Sequence, residues 1–362
     1  MLTDNELKHL GDDIISIYQD IEMDIINKLA SYLKVNDKDG GTAQWHIKKL
    51  NELSDFNADI TRAVNKRLKD SDNAVIDALS RAAYANFNSD MERLPQMVLD
   101  TQLDNFAYDL GRNLAKIRTN TINSTKEEYL RIVDKATLET SSGVKSFTQS
   151  ITDSLKDLGD RGISCQAYQR ADGTRVNYSI EGLVRRDTLY GVFSIANQFF
   201  LDNADKLDIT HVYVSQHLGA RTSETSKIAN HAGWQGRIYL LDGSDEHYKN
   251  FYEETGAGTI EGFGGVNCRH RVSAAHDGMK IPEQYDQDKN YHQEQLEKYQ
   301  RYLERNIRSW KRKEAMMKSC GNDDEYKKAH SKVIEWSNKL DKFTKKNNMR
   351  RDFSRERVSN GK

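Results

Sequence analysis

The chain has only two prolines and three cysteines in 362 residues, and nowhere a long apolar run. Cys165, Cys268 and Cys320 are odd in number and far apart, which excludes a disulfide framework and fits a reducing site of synthesis. No stretch approaches the roughly 18 apolar residues that a membrane-spanning helix needs. The opening MLTDNELKHLGDD lacks a basic region followed by an apolar one, so export by the usual route is not expected. Charge of one sign is also missing: 54 Lys plus Arg face 55 Asp plus Glu, which excludes a uniformly basic nucleic-acid binder and an acidic tail. No Gly-x-Ser-x-Gly elbow, His-Glu-x-x-His helix or spaced carboxylate pair occurs. What is present is 30% charged against 37% hydrophobic residues, a balance that, with so little proline, predicts long solvated helices. The length predicts two or three domains.

The expected fold is mostly α with a small α+β domain. Residues 1–160 read as an N-terminal helical bundle of about six helices, because apolar residues recur three and four apart, as in Ile14, Tyr18, Ile21, Ile25 and Leu29. Stripes at Phe56 and Ile60, at Val75 and Leu79, and at Leu103, Phe106, Leu110, Leu114 and Ile117 continue the pattern. The stretch from Asp37 to Gly41 marks a break, and Pro95 a helix start. Residues 161–282 change texture to a glycine-rich α+β domain. Its expected strands are His211–Val214, Arg237–Leu241 and Cys268–Ser273, with a helix from Ile180 to Leu201. The glycine-dense run from Thr255 to Gly265 lacks the Lys-Ser/Thr ending of a phosphate-binding loop and reads as a turn-rich segment passing close to other backbone.

Residues 283–362 read as a basic C-terminal antiparallel helical hairpin and tail. Tyr326, Ala329, Val333, Trp336, Leu340 and Phe343 alternate steps of three and four, a heptad seam. The seam is expected to bury Leu303, Trp310, Val333, Trp336 and Leu340, with the charged face solvated or turned to nucleic acid or an acidic partner. Residues 290–362 hold 20 Lys plus Arg against 11 Asp plus Glu, a net of +9, which leaves −10 for the rest.

Chemistry concentrates in the central region, which holds six of the ten histidines and Cys268. A Cys-x-His pair such as Cys268 and His270 presents both side chains to one ion if the backbone bends, and two histidines from a preceding loop would complete a tetrahedral set. The alternatives are loop histidines satisfying irregular backbone, a Cys268 nucleophile with His231 or His270 as base, and a metal-dependent hydrolase with Glu261 as general base. Arg221 and Arg269 are candidates for anion contacts or for local carboxylate pairs.

Three segments carry a family resemblance: His217-Leu218-Gly219-Ala220-Arg221, His231-Ala232-Gly233-Trp234-Gln235-Gly236 and Gly265-Val266-Asn267-Cys268-Arg269-His270. Their type and order resemble the tailed-phage minor capsid protein 2 family. The likeness extends to Ala43-Gln44-Trp45, to residues 159–163 and to the hairpin at residues 301–305 and 350–353. The chain departs from the family's pattern in the nine residues between Arg221 and His231, where a few are usual, and in Arg271-Val272-Ser273, where an aromatic-rich strand commonly follows. The family is similar to the phage Mu-type head-morphogenesis group, whose cysteines occupy comparable places, a His-for-Cys exchange that zinc ligation permits. The resemblance implies a minor structural protein of a phage or prophage head, portal-proximal and inside the capsid, acting in head assembly or DNA delivery, with no enzymatic activity. It implies the portal or major capsid protein as partner and no membrane; packaged DNA is a further candidate through the basic C-terminal region. It implies synthesis in the bacterial host cytoplasm. It also directs attention to a structural zinc ion on His217, His231, Cys268 and His270, the ligand-capable residues inside the segments.

Overall fold

A computed structural model describes residues 4–34, 41–68, 71–85, 96–169, 173 and 175–358. The break at residues 37–40 and the helix start at Pro95 lie outside them. The chain is mostly helical, with a two-stranded and a three-stranded sheet among the described residues. By contacts it forms two compact units, each assembled from separate stretches of sequence.

One unit comprises residues 13–72, 112–184 and 300–362. It contains α2 (Asp12–Tyr32), α3 (Thr42–Asn51), α4 (Leu53–Leu68) and α7 (Phe147–Arg161), and most of α6 (Gln96–Ser141). The stripe Ile14, Tyr18, Ile21, Ile25 and Leu29 is buried along α2, as its spacing requires. Tyr18 satisfies its hydroxyl by donating to the Leu114 carbonyl at 3.2 Å. Trp45 packs on Phe147, and Phe56 stacks on Tyr129 with centroids 4.5 Å apart. A hairpin that the sequence did not announce, β1 (Ser164–Gln169) with β2 (Arg175–Ser179), is antiparallel and follows α7. RVNYS alternates polar residues with Val176 and Tyr178, but over five positions only, and its partner SCQAYQ breaks the alternation at Ala167-Tyr168.

The same unit holds the hairpin of α11 (Gln287–Cys320, from residue 300 onward) and α12 (Asp323–Lys346). Gly321 turns between them with φ +78°, and Asn322 caps α12 by accepting the Glu325 N–H ahead of an acidic first turn. Leu303, Ile307 and Leu340 form its buried seam, against which Trp336 and Phe343 pack. The expectation that Trp310, Val333 and Trp336 would be buried there is corrected: all three are half-buried. Lys313 Nζ covers the Trp310 ring and Lys339 Nζ the Trp336 ring, at 4.1 and 4.6 Å, as alkyl-ammonium stems do where an indole reaches the surface.

The expected solvated charged face is present on α12, where Lys327, Lys328, Lys332 and Lys339 are exposed, but it fails along one stripe of α11. Gln300, Glu304, Arg308 and Arg312 recur every fourth residue of α11 and are all buried. Arg355 Nε lies 2.7 Å from Glu304 Oε2, Arg308 Nε 3.0 Å from Glu181 Oε2, and Arg312 Nε donates to the Gly159 carbonyl at 3.0 Å. Arg351 grips Glu356 through two contacts of 2.6 Å. The final described segment, with its short 3₁₀ turn at Phe353–Glu356, covers this stripe and withdraws it from water.

The other unit comprises residues 1–12, 73–111 and 185–299. It takes α1 (Asp4–His9), most of α5 (Ser71–Ala85) and most of α8 (Ile180–Asn203). Its sheet has the order β4-β3-β5, with β3 (His211–Val214) antiparallel to both β4 (Ile238–Leu240) and β5 (Val272–Ala275). The core gathers Phe199 and Phe200 of α8, Val212 and Val214 of β3, Trp234, Tyr239, Phe251, Phe263 and Cys268. The last strand begins at Val272 and not at Cys268. Gly264 and Asn267 hold φ of +72° and +61°, turn conformations that keep the Cys268–His270 stretch out of the ladder.

Candidate functional site

The segments 217–221, 231–236 and 265–270 converge in this second unit, and the intervening glycine-rich run explains how. A short helix, α10 (Phe251–Thr255), ends at Gly256 with φ +60°. The chain then folds back so tightly that a Cβ on Gly262 would stand 2.1 Å from the Gly256 carbonyl oxygen, and one on Gly265 would stand 2.3 Å from that of Ile260. Only glycine fits such crossings. Arg221 ties the crossed loop down from the first segment, donating to the carbonyls of Val266 at 2.5 Å and Glu261 at 3.3 Å. Arg269 takes the local carboxylate, Glu297, at 3.2 Å.

The start of α11, which belongs to the same unit, supports the segments from the other side. Buried Asn290 makes a reciprocal pair with the Ala220 backbone, accepting from its N–H at 3.0 Å and donating to its carbonyl at 2.9 Å. Gln287 donates to the Ala232 carbonyl at 3.0 Å, and Gln284, just before the helix, to that of Gln235 at 2.7 Å.

At the centre of this scaffold His231, Cys268 and His270 are buried, with one ligand atom from each lying within 4.8 Å of the other two. His231 opens α9 (His231–Trp234), a single turn whose Trp234 ring sits 4.8 Å from the His270 ring. Cys268 Sγ and His270 Nδ1 are 3.5 Å apart. His217 stands beside this trio: its ring stacks on His270 with centroids 4.6 Å apart, but it is outside the mutually close donor set.

Hydrogen bonding fixes the tautomers. His231 Nε2 lies 2.8 Å from the Glu261 carbonyl oxygen; a carbonyl only accepts, so Nε2 carries the proton and Nδ1 a lone pair. Gln235 Oε1 accepts from the His217 backbone N–H at 3.0 Å, which identifies that atom as the amide oxygen, and it also faces His270 Nε2 at 3.0 Å. His270 therefore bears its proton on Nε2 and turns the Nδ1 lone pair to the Cys268 sulfur. By the same reasoning His217, with Nδ1 3.1 Å from the Leu218 carbonyl oxygen, keeps its lone pair on Nε2.

Burial holds these groups in their neutral forms. Desolvation pushes His231 down to about 4, its neighbours Arg221 and His217 adding to the fall. Burial first, and then the neighbouring His217 and His231, takes His270 well below the ordinary imidazole value. Burial raises the Cys268 thiol against the pull of backbone N–H groups and of Arg221 and Arg269. Neutral imidazoles are what a metal ion accepts, and two nitrogens with one sulfur form a borderline-soft donor set suited to zinc.

Two residues that sequence reading passed over organise the trio. Gln235 lay inside the second segment, yet only its double acceptance reveals its part. Asn197, in mid-α8, donates to the His270 carbonyl at 2.9 Å and accepts the Val272 N–H at 3.1 Å, so it fixes the step from the third segment into β5. Its signal in the sequence was an amide set close to Ile195, Ala196, Phe199 and Phe200, and the fold buries it with them. Glu261 contributes its backbone carbonyl, while its carboxylate side of the residue is exposed.

The model of the family described as phage minor capsid protein 2 matches residues 2–345. The chain belongs to that family. Among its relatives, a structural protein of Lactococcus phage LL-H is 23% identical over 337 residues, covering 86% of this chain and 88% of that protein. A structural protein of Lactococcus phage mv4 is 29% identical over 116 residues, covering 31% of this chain and 94% of that shorter protein. No solved structure matches. For a phage minor capsid family member, the convergence of the signature segments locates them in one buried scaffold: Arg221 and Asn290 brace it, and the His/Cys trio occupies its interior.

Proposed function

We propose that this minor capsid protein is a structural component of the phage head, seated near the portal on the inner side of the shell, where it serves head assembly or DNA delivery without catalysing a reaction. The observation that carries the reading is the family match over residues 2–345, joined to relatives named as structural proteins. The interior of the signature scaffold supports it. Its polar side chains are spent on backbone carbonyls and amides, as Arg221, Asn290, Gln235 and Asn197 illustrate, an economy that fixes a shape.

A DNA-organising role through the basic C-terminal region draws on the same net charge of +9 over residues 290–362. Internal pairing reduces what reaches a phosphate backbone: Arg308, Arg351 and Arg355 are committed to Glu181, Glu356 and Glu304. The remaining lysines of α12 are the residues that such contacts would use. Binding of that kind weakens steeply with salt, whereas assembly through a packed protein interface rests on buried area and complementarity.

Quantitative mass spectrometry of purified virions and of DNA-free heads tests the proposal. The protein is expected in both particles at low copy number, cross-linking to the portal. Its absence from DNA-free heads, with recovery only on DNA and loss at raised salt, would favour the DNA-organising reading. Deletion of the gene is expected to give heads that assemble less faithfully or deliver DNA poorly.

A further inference from the structure

We propose that His231 Nδ1, His270 Nδ1 and Cys268 Sγ hold one zinc ion that staples the signature segments together, with the His217 ring stacked beside them. The proposal goes beyond the virion role and does not depend on it. It rests first on placement: donors from two segments distant in sequence lie within 4.8 Å of one another in the protein interior. In tetrahedral zinc with ligand bonds of about 2.0 to 2.3 Å, a nitrogen and a sulfur ligand stand roughly 3.6 Å apart. Cys268 Sγ and His270 Nδ1 are already at 3.5 Å.

The second support is orientation. A histidine that binds metal through one nitrogen almost always donates the other N–H to a carbonyl or carboxylate, which fixes tautomer and ring direction. Both histidines of the trio do so: His231 donates to the Glu261 carbonyl and His270 to Gln235 Oε1. These partners are themselves held, because Arg221 donates to the same Glu261 carbonyl and the His217 N–H to the same Gln235 oxygen. Both Nε2–H tautomers leave an Nδ1 lone pair available to an ion, and that of His270 already faces the Cys268 sulfur.

The third support is what surrounds them. Trp234 and Phe263 wall the trio on the core side, and the unit's irregular crossings around Gly262 and Gly265 supply little regular secondary structure of their own. Loop-rich regions of this kind gain most from a metal cross-link, because ligand binding becomes folding free energy. Loss of the Cys268 proton on ligation leaves a thiolate, two neutral imidazoles and a dication, the protonation states that metal ligation demands.

The test uses the untagged full-length chain. Elemental analysis is expected to find about one zinc per chain, and X-ray absorption at the zinc edge a first shell of nitrogen with one sulfur. Replacement of zinc by cobalt(II) should produce the near-ultraviolet charge-transfer band of a thiolate ligand together with intense visible bands of a tetrahedral site. Cys268→Ser is expected to abolish the charge-transfer band. Should that variant fail to fold, chelation of the wild-type chain gives the independent reading: the melting temperature should fall and recover on zinc addition. A folded wild-type chain that stays metal-free in excess zinc, shows no cobalt–thiolate band and melts unchanged with chelator overturns the proposal. Zinc bound with a first shell free of sulfur overturns the assignment of Cys268.

Discussion

His270 donates from Nε2 to Gln235 Oε1 at 3.0 Å, deep in the interior of the signature scaffold. The same oxygen accepts the His217 N–H, so one amide oxygen of the second segment joins the first segment to the third. Replacing Gln235 by Leu leaves two buried donors without an acceptor. A loss of about 2 to 4 kcal/mol in chemical denaturation is expected, since each stranded donor costs roughly 1 to 3 kcal/mol. A Gln235→Glu variant retains an acceptor and should lose less; equal stability of wild type and Gln235→Leu would refute the bridging role.

If zinc occupies the trio, His217 and Cys268 should differ in weight. His217→Ala is expected to leave stoichiometric zinc in the isolated protein while speeding its transfer to a competing chelator by about tenfold or more. Cys268→Ser should lower zinc content outright. The order is read from chelator-competition kinetics, and faster release from Cys268→Ser than from His217→Ala is the expected result.

Glu304 is buried and holds Arg355 at 2.7 Å. Glu304→Leu strands that guanidinium, and removal of one partner of a buried ion pair costs on the order of 3 to 5 kcal/mol. The double variant Glu304→Leu, Arg355→Met should recover most of the loss. Urea denaturation of the wild type, both single variants and the double variant forms the cycle, and additive losses would show that the pair is not coupled.

Glu22 gives a pH dependence with a definite sign. Its carboxylate accepts the Ile163 N–H at 3.0 Å, and burial, opposed in part by Arg312, raises it above the ordinary carboxylate value. The folded chain therefore holds this proton more tightly than the unfolded chain. Its contribution to stability is greatest below the unfolded value and is lost as pH rises through the folded one. Glu22→Gln keeps an acceptor for Ile163 and removes the titration. The variant should gain on the wild type as pH rises above about 4.3, where an unfolded glutamate ionises; a stability difference that is flat with pH would contradict the assignment.

In the hairpin, Leu340 outranks Trp336. Leu340 is fully buried with Leu303 and Ile307, whereas Trp336 packs its edge against Tyr302 and carries Lys339 on its face. Leu340→Ala is expected to cost about 2 to 5 kcal/mol. Trp336→Ser, which heptad position alone would rank as a core truncation, should cost less, about 1 to 2 kcal/mol, because part of the ring is already in water. Thermal melts of the full chain establish the order.

Sequence by itself determined the helices and the neighbourhood of the site. The stripe on α2 had to be buried because residues three and four apart share one helix face, and β3 followed from the alternation of His211-Val212-Tyr213-Val214. The turn at Gly321 and Asn322 was legible for the same local reason, since caps and αL glycines act on adjacent backbone. Tertiary structure decided what depends on partners far along the chain. Arg308, Arg312 and Glu304 look like any solvated helix face until Glu181, the Gly159 carbonyl and Arg355 arrive from elsewhere to pair with them. The hairpin of β1 and β2 was hard to read because its alternation, Val176 and Tyr178 between polar residues, is five residues long and its partner strand breaks the pattern, so the pairing rests on backbone hydrogen bonds. The His/Cys candidates were visible as residue types, but the grouping of His231 with Cys268 and His270, the position of His217 beside them and the choice of Nδ1 lone pairs came from Gln235 and the Glu261 carbonyl. A proton's place on an imidazole is set by the acceptor that faces it, and only the folded chain brings that acceptor within reach.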